Sequence, residues 1–248
     1  MMCSDKARYG TAQAMNDKPD AFSGVDGRSY EEDLARGLSL SGETRDFFAR
    51  GRLASLAEQL GRLGIPPPRR VLDYGCAAGE TTALLAERWP SAQVVGVDTS
   101  SSLLAEAKRQ CKSARCSFRA MADVLPGPSF DLIYCNGVFH HVVPGERAGV
   151  LAWIRSRLAP GGVFSLWENN GWNPGVRWVM SRVEFDRDAV LLPPPGAVRM
   201  LRLADFAVLS REFHFVFPKI LAGLRPLERL MRRLPLGAQY HVLARREG

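Results

Sequence analysis

The sequence predicts an α/β fold built on a doubly wound, mostly parallel sheet. Two observations support this prediction: short apolar segments alternate with amphipathic stretches along most of the chain, and the first segment ends in a glycine turn that opens a helix. Parallel strands need crossover connections, and alternating helices supply them. A chain of 248 residues has room for one such domain with additions.

Hydrophobic periodicity and turn residues place the elements. We expect a leading helix over 44–63, because four leucines from Leu53 to Leu63 fall on one face before Gly64 and three prolines stop it. The alternating core follows this helix. Its predicted strands are 70–74, 93–98, 116–120, 130–135 and 162–168, and its predicted helices are 79–88, 101–111 and 145–158.

The flanking regions are predicted to complete a single domain over 29–248. Residues 1–28 are polar and aperiodic, which is typical of a flexible tail, and 29–69 is expected to form a helical cap. Residues 169–205 are irregular and rich in tryptophan, so we expect a lid insertion over a substrate pocket; alternatively, the rings fill a small accessory core. After it we expect a strand at 206–217, a basic amphipathic stretch at 219–234 and a last strand at 239–244.

The most informative segment runs from Val71 to Glu80. An apolar strand ends in Asp73, turns through Gly75 and Gly79 and opens a helix. A helix start offers unpaired N–H groups and a positive dipole end, and glycines remove side chains that would block a ligand. A second strand ends in Asp98, placed where ribose hydroxyls are usually held. This succession indicates a site for a nucleotide-like cofactor.

The spacing of this segment distinguishes between cofactors. The dinucleotide fingerprint places glycines at relative positions one, three and six, but those positions hold Gly75, Ala77 and Glu80. An acid ahead of the first glycine, here Asp73, repels a pyrophosphate and attracts the ammonium of a methionyl group. The pattern therefore favours S-adenosylmethionine over NAD.

From Arg70 to Asn169 the chain resembles the class I S-adenosylmethionine-dependent methyltransferases. The first motif of that family usually reads Val-Leu-Asp-x-Gly-x-Gly-x-Gly, and this chain departs from it at Ala77, which narrows the turn. Later landmarks keep the family's order: Asp98, Ala122-Asp123, the strand 130–136 and the turn 158–162. The resemblance implies a Rossmann-like, seven-stranded sheet with an antiparallel last strand, and S-adenosylhomocysteine as the product.

The resemblance also implies which residues hold the cofactor. Asp123 is expected near the adenine amine, and Arg50 or Arg52 of the leading helix near the methionyl carboxylate, although each arginine is alternatively a solvated surface residue. The expected cofactor-binding residues are Asp73, Gly75, Cys76, Gly79, Asp98, Thr99, Ala122, Asp123, Asn136 and Arg52.

Methyl transfer to oxygen or nitrogen also needs a base that titrates near neutrality, which favours histidine. His140 and His141 lie just past the fourth strand, where this fold meets its acceptor; adjacent side chains diverge, so we expect at most one to face the substrate. Alternatively, the pair only packs the loop. Glu168 is a further catalytic candidate, whose structural alternative is to hold a loop amide. The remaining histidines, His214 and His241, fall in predicted strands and are expected to be structural.

Composition excludes several classes of partner. With 46% hydrophobic and 24% charged residues the chain is typical of soluble globular proteins, and no apolar run reaches the roughly 18 residues of a membrane span. Five cysteines without zinc spacing predict reduced thiols in a cytoplasmic protein and no metal. The net charge of +7 is dispersed, so we expect no nucleic-acid partner; an acidic small molecule or an acidic carrier protein fits equally well.

Three functional hypotheses follow. The first is methyl transfer to a small, aromatic or polyketide-like acceptor in natural-product (antibiotic) biosynthesis. In the second, the bound cofactor is a scaffold for acid/base-promoted ring closure. The third is a non-catalytic binding subunit, which Ala77 and the basic C-terminal stretch would suit. We expect a small-molecule substrate and no membrane partner, and the sequence leaves a homodimer open.

Overall fold

A computed structural model describes residues 41–182 and 189–247 of the protein. Its strands are β1 (Arg70–Tyr74), β2 (Gln93–Asp98), β3 (Cys116–Ala120), β4 (Phe130–Asn136), β5 (Leu158–Asn169), β6 (Phe206–His214) and β7 (Gln239–Arg246). They form one seven-stranded sheet in the order β3-β2-β1-β4-β5-β7-β6. The strands from β3 to β5 pair in parallel, and β7 is antiparallel to both of its neighbours. The predicted fold class, including its antiparallel last strand, is confirmed.

One helix precedes β1, and the others lie in the connections between the strands. The described helices are α1 (Arg45–Arg62), α2 (Glu80–Arg88), α3 (Ser101–Gln110), α4 (Arg147–Arg157), α5 (Pro174–Met180), α6 (Pro194–Leu203) and α7 (Glu228–Met231). Within the described ranges, 3₁₀ segments cover Met121–Asp123 and Lys219–Leu227. The predicted tail 1–28 and the first part of the predicted cap, up to residue 40, lie outside the described residues.

Strand ends differ from the prediction by three residues or more at two places. Strand β5 starts at Leu158 because that residue already pairs with Phe130, ahead of an irregularity in the register. The predicted strand 206–217 stops at His214, because Phe215 adopts a φ of +63° that no strand accommodates. The chain therefore turns away from the sheet three residues earlier than its apolar pattern indicates.

Alternating strand residues build a core on each face of the sheet. Val71, Leu132 and Val163 point to the face that α1 covers with Leu56 and Leu60. On the opposite face, α4 packs with Val150, Leu151 and Ile154, and α6 with Ala197 and Leu201. Helix α6, the last part of the predicted 169–205 lid, is thus a helix of the main core.

The layered arrangement brings the carboxyl ends of β1 to β5 to one edge of the sheet. The glycine turn follows β1, and the His140-His141 loop follows β4. Helix α1 reaches the same edge with its N-terminal half, where Thr44 caps it by accepting a hydrogen bond from the Phe47 N–H. Among the described helices, none is both long and apolar enough to span a bilayer.

Candidate active site

A cavity of about 620 Å³ lies at this edge of the sheet. Its walls come from the glycine turn, the loop after β4, helices α1 and α5, and the chain that follows β6. Ligand sites of open α/β sheets lie beyond the carboxyl ends of the strands, and small-molecule sites usually enclose roughly 300–1,000 Å³. Position and size are both those of a small-molecule site.

The glycine turn has a left-handed backbone at three positions, with φ of +76° at Gly75, +45° at Ala77 and +84° at Gly79. A Cβ atom at Gly75 would collide with the Val138 side chain, and one at Gly79 would meet the Phe118 ring at 2.8 Å. Gly75 therefore keeps the turn open at the cavity wall. Gly79 serves packing, since it lets α2 start close against β3.

Asp98 holds the glycine turn in place from the end of β2. One carboxylate oxygen accepts a hydrogen bond from the Ala77 N–H at 2.9 Å, and the other accepts one from the Ser100 N–H at 3.0 Å. The side chain is buried and is not among the residues that line the cavity. Its contact with a cofactor ribose stays a prediction.

Asp73 is buried at the end of β1 and also lies outside the cavity lining. Its carboxylate accepts a hydrogen bond from the Thr82 hydroxyl at 2.7 Å. Burial raises the pKa of Asp73 to about 7, against the lowering effect of the Thr82 hydrogen bond. The hydrogen bond to Thr82 joins β1 to helix α2. The raised pKa means that Asp73 stays protonated at pH values at which ordinary carboxyl groups are ionised.

The cavity gathers only part of the predicted site. Six of the predicted site residues line the cavity: Gly75, Cys76, Asn136, Arg52, His140 and His141. Thr99, Ala122 and Asp123 are exposed at the ends of β2 and β3 and do not line it. Burial raises the pKa of the Cys76 thiol, which makes it a neutral wall residue.

Arg52 projects from α1 into the cavity wall and is buried. Its Nε donates a hydrogen bond to the Tyr134 hydroxyl and one terminal nitrogen donates to Gln239 Oε1, both at 3.1 Å. Both of these partners are neutral. Arg50, the other arginine predicted near the cofactor, is exposed and instead pairs with Asp46 and Glu87.

His140 and Glu168 form a buried hydrogen-bonded pair across the sheet edge. Nδ1 of His140 lies 2.6 Å from Glu168 Oε2, while Glu168 Oε1 accepts a hydrogen bond from the Phe139 N–H at 2.8 Å. Glu168 itself is 1% exposed and is not in the cavity wall. It holds the loop after β4 and fixes the orientation of the His140 ring.

The expectation that the two adjacent histidine side chains diverge is wrong. Their ring centroids are 4.1 Å apart, and both line the cavity. The loop forms a tight turn, in which the His141 N–H donates to the Val138 carbonyl and the Val142 N–H to the Phe139 carbonyl. In such a turn consecutive side chains are not on opposite faces as they are in a strand.

Comparison with known proteins identifies the family. The model of the methyltransferase domain family matches residues 71–162. The chain is 32% identical over 214 residues to a trans-aconitate 2-methyltransferase of Variovorax paradoxus, which covers 77% of this chain and 80% of that protein. This chain belongs to the class I S-adenosylmethionine-dependent methyltransferases.

Other relatives of this methyltransferase align over less of their length. A trans-aconitate 2-methyltransferase of Methylobacterium nodulans is 31% identical over 160 residues, 64% of this chain and 61% of that protein. The chain spans about half the length of most of the curated relatives it matches, 42% to 61% for four of them. A solved S-adenosylmethionine-dependent methyltransferase from Mesorhizobium loti shares the fold, with a TM-score of 0.55 at 21% identity over 75% of this chain and 95% of that one.

S-adenosylmethionine is thus the cofactor of this methyltransferase, and the cavity residues fit it. The side-chain oxygen of Asn136 is buried without a hydrogen-bond partner among the described residues. A buried acceptor without a donor lowers the stability of the folded protein by about 1–3 kcal/mol. A ligand donor removes this penalty, and the methionyl ammonium is such a donor. The Arg52 guanidinium would supply the opposite charge for the methionyl carboxylate.

The sequence did not predict an aromatic wall that lines the cavity of this methyltransferase. Phe47 and Phe48 of α1 meet Phe215, with ring centroids 6.1 and 4.9 Å apart, and Phe217 follows in the same wall. Gly51 makes this approach possible, since a Cβ there would lie 2.8 Å from the Phe215 ring. The adjacent phenylalanines at the start of an amphipathic helix were the available signal, but their partner lies far away in sequence.

The predicted tryptophan-rich lid separates into two environments. Trp178 lines the cavity from α5, next to Val179 and Met180, whereas Trp167 is fully buried in the core. The Trp167 ring stacks on His241 at 4.3 Å. His214 and His241 are buried away from the cavity, and burial lowers the pKa of both.

Residues 183–188 of the predicted lid lie outside the residues that the structure describes. In the described ranges no cluster of His, Cys, Asp and Glu could hold a metal ion.

Proposed function

We propose that this methyltransferase moves the methyl group of S-adenosylmethionine to a hydroxyl or amine of a small molecule with an apolar body. The observation that carries the proposal is the composition of one cavity. Four phenylalanines and Trp178 form much of its wall, and His140 and His141 lie in the same wall. An aromatic or polyketide-like acceptor fits these rings, which supports a place in natural-product biosynthesis.

The wall argues against the acceptor named for the curated relatives. Trans-aconitate carries three carboxylates, and each needs a cationic partner when it leaves water. Arg45 and Arg52 are the arginines in the described cavity wall, and Arg45 is paired with Glu80 at 3.1 Å. Arg52 is assigned to the cofactor carboxylate. The described charges therefore suit an acceptor with few or no carboxylates.

The cofactor end of the cavity is assigned to Arg52 and Asn136. Arg52 is held by Tyr134 and Gln239, so its guanidinium is oriented before a ligand arrives. When bound, S-adenosylmethionine supplies an electrophilic methyl group, whose bond to sulfur breaks with the electron pair staying on sulfur to give S-adenosylhomocysteine. The protein's contribution at this end is to orient the methyl donor and to exclude water.

The acceptor end is assigned to the His140–Glu168 pair. When the Glu168 carboxylate accepts the Nδ1 proton of His140, Nε2 becomes the basic atom of the ring. That atom takes the proton that the acceptor hydroxyl or amine loses as its bond to the methyl group forms. Glu168 acts through His140 and is a positioning residue.

Product mass tests the proposal. The full chain is incubated with S-adenosylmethionine and two acceptor sets, one of phenols and hydroxylated polyketide-like molecules, the other of carboxylates that includes trans-aconitate. We expect a gain of one methyl group in the first set and none in the second. Methylation confined to the carboxylates would contradict the proposal, and a product of unchanged mass would favour the ring-closure alternative.

A further inference from the structure

The chain between β6 and β7 exposes an unusual amount of apolar surface. Residues 219–236, called here the 219–236 segment, contain the 3₁₀ segment Lys219–Leu227 and helix α7. Ile220 is 90% exposed and Leu230 is 83% exposed. The other exposed leucines of the segment are Leu221, Leu224, Leu227, Leu234 and Leu236. Single exposed leucines are normal, but a contiguous group of this kind marks an interaction surface.

The same segment is strongly basic. It carries five lysine or arginine residues and one acid, Glu228. Arg225 and Arg232 are paired with Glu43 and Glu58, at 2.6 and 2.7 Å. Lys219 and Arg233 make no ion pair with the described part of the chain, and Arg229 interacts with Glu58 only at longer range. Arg233 shares a shallow groove with Arg202 and Arg211. The surface thus combines exposed leucines with an excess of cations over the acids described around them.

The 219–236 segment is attached to the rim of the cavity at both ends. Pro218, just before it, and Ala238, just after it, both line the cavity. Trp172 and Trp178, on the neighbouring stretch, are 51% and 43% exposed. The Asn173 side chain joins that stretch to the segment by donating a hydrogen bond to the Leu236 carbonyl at 2.8 Å. The exposed apolar surface therefore continues to the cavity opening.

We propose that the 219–236 segment docks on an anionic lipid bilayer and holds the cavity opening at that surface. Exposed leucines enter the boundary between head groups and acyl chains, while lysine and arginine meet lipid phosphates and tryptophan lies at the interface. The sequence-based expectation of no membrane partner rested on the lack of a spanning run, which a surface-bound segment does not need. Docking does not depend on the methyl transfer proposed above.

Vesicle binding of the full chain tests this proposal. Sedimentation is compared for vesicles of phosphatidylcholine with phosphatidylglycerol and for vesicles of phosphatidylcholine alone, at low and at high salt. We expect binding to the anionic vesicles at least about tenfold tighter than to the neutral ones, and weakening with salt. The double variant Ile220→Glu/Leu230→Glu should lose at least about tenfold in vesicle affinity. Leu125→Glu, which changes an 80% exposed leucine outside the segment, should bind as the wild type does.

Three results would overturn the proposal. The first is a wild type that binds neither kind of vesicle. The second is an equal loss in the Leu125→Glu control. The third is a wild-type dimer that becomes monomeric in the double variant, which would assign the surface to a second copy of the chain. Since both replaced side chains point into solvent, cofactor binding by the double variant should stay at the wild-type level, and a chain that binds vesicles but methylates nothing would contradict only the proposed function.

Discussion

Arg52 shows at the scale of one residue how a buried cation points to its ligand. Arg52 is 7% exposed, and both hydrogen-bond partners that hold its guanidinium, Tyr134 and Gln239, are neutral. Asp73 interacts with Arg52 electrostatically but makes no hydrogen bond to it. A buried charge whose hydrogen-bond partners are all neutral is costly, so an arriving carboxylate gains more here than it would at the surface. Arg50, two residues earlier on the same helix, is exposed and already paired with two acids, so a ligand carboxylate would gain little by binding it.

We therefore predict that Arg52→Ala weakens binding of S-adenosylmethionine by about 2 kcal/mol, roughly 30-fold, because a hydrogen-bonded charge pair is lost. Arg50→Ala is the matched control and should change the affinity less than about twofold. Calorimetric titration of both variants measures the difference. Equal effects of the two substitutions would remove Arg52 from the cofactor site.

Asp73 makes a prediction about pH. Its pKa is raised to about 7 by burial, so the folded state favours the neutral acid and the stability contributed by this group falls as pH rises from about 4 to about 7. Asp73→Asn cannot ionise and can still accept the Thr82 hydrogen bond. Relative to the wild type, the variant should gain on the order of 2–4 kcal/mol of unfolding free energy between pH 5 and pH 8.

Urea unfolding of Asp73→Asn and the wild type without cofactor, at both pH values, provides this measurement. Taking the difference between the two proteins removes the other titrating groups, including His214, whose lowered pKa of about 4 acts in the opposite direction below pH 6. A stability difference that is the same at both pH values would show that Asp73 is ionised in the folded state.

Ala77 carries backbone strain in the glycine turn. A left-handed conformation costs an alanine about 1–2 kcal/mol, while glycine adopts it freely and loses about 0.5–1 kcal/mol through its more flexible unfolded state. Ala77 has a φ of +45°, so Ala77→Gly should raise the unfolding free energy by up to about 1 kcal/mol. Ala78→Gly, at a neighbouring position without positive φ, should lower it. Denaturant titration measures the free energy of unfolding of both variants. If Ala77→Gly and Ala78→Gly lower it equally, backbone strain at Ala77 is refuted.

At the scale of elements, the loop after β4 and the end of β5 act as a unit. Glu168 on β5 accepts a hydrogen bond from the Phe139 N–H and contacts the His140 ring of that loop, so the two strand ends together position the His140 ring. We predict that His140→Ala lowers kcat by about 10²–10⁴-fold, as is usual for a general base. Glu168→Gln should lower kcat by a smaller factor, because the hydrogen bond to Phe139 survives while the countercharge is lost.

Steady-state kinetics combined with cofactor titration checks this assignment. Both variants should keep the wild-type affinity for S-adenosylmethionine, since Arg52 and Asn136 are untouched, and His141→Ala should have a milder effect on kcat than His140→Ala. A loss of cofactor affinity that matches the loss of kcat would return the pair to a purely structural role.

Strands and helices were largely readable from the sequence because each obeys a local rule. The β1–α2 turn has its glycines, and helix α1 has its leucine stripe and its Thr44 cap. The cavity wall has no local rule: Phe48 meets Phe215 and Arg52 meets Gln239 only after the chain has folded. The orientation of the Asp73 side chain could not be predicted from the sequence either, because its hydrogen-bond partner, the Thr82 hydroxyl, lies on helix α2.

For the whole molecule, the sheet order places the glycine turn, the His140-His141 loop and the aromatic wall at one edge. The family motifs predicted the position of the first two, because they lie on neighbouring strand ends; their roles in cofactor binding and proton transfer stay predictions. The 219–236 segment was read from sequence as a basic amphipathic stretch, but its exposure and its attachment to the cavity rim are visible only in three dimensions. Its sequence pattern alone does not tell a packed face from an exposed one.

The most direct test of the central claim is calorimetric titration of the full chain with S-adenosylmethionine, S-adenosylhomocysteine and NADH. The site described here predicts saturable binding of the first two, with similar affinities because they share the methionyl and adenosine groups, and no binding of NADH. Binding of NADH, or of none of the three, would contradict the assignment of this cavity to S-adenosylmethionine.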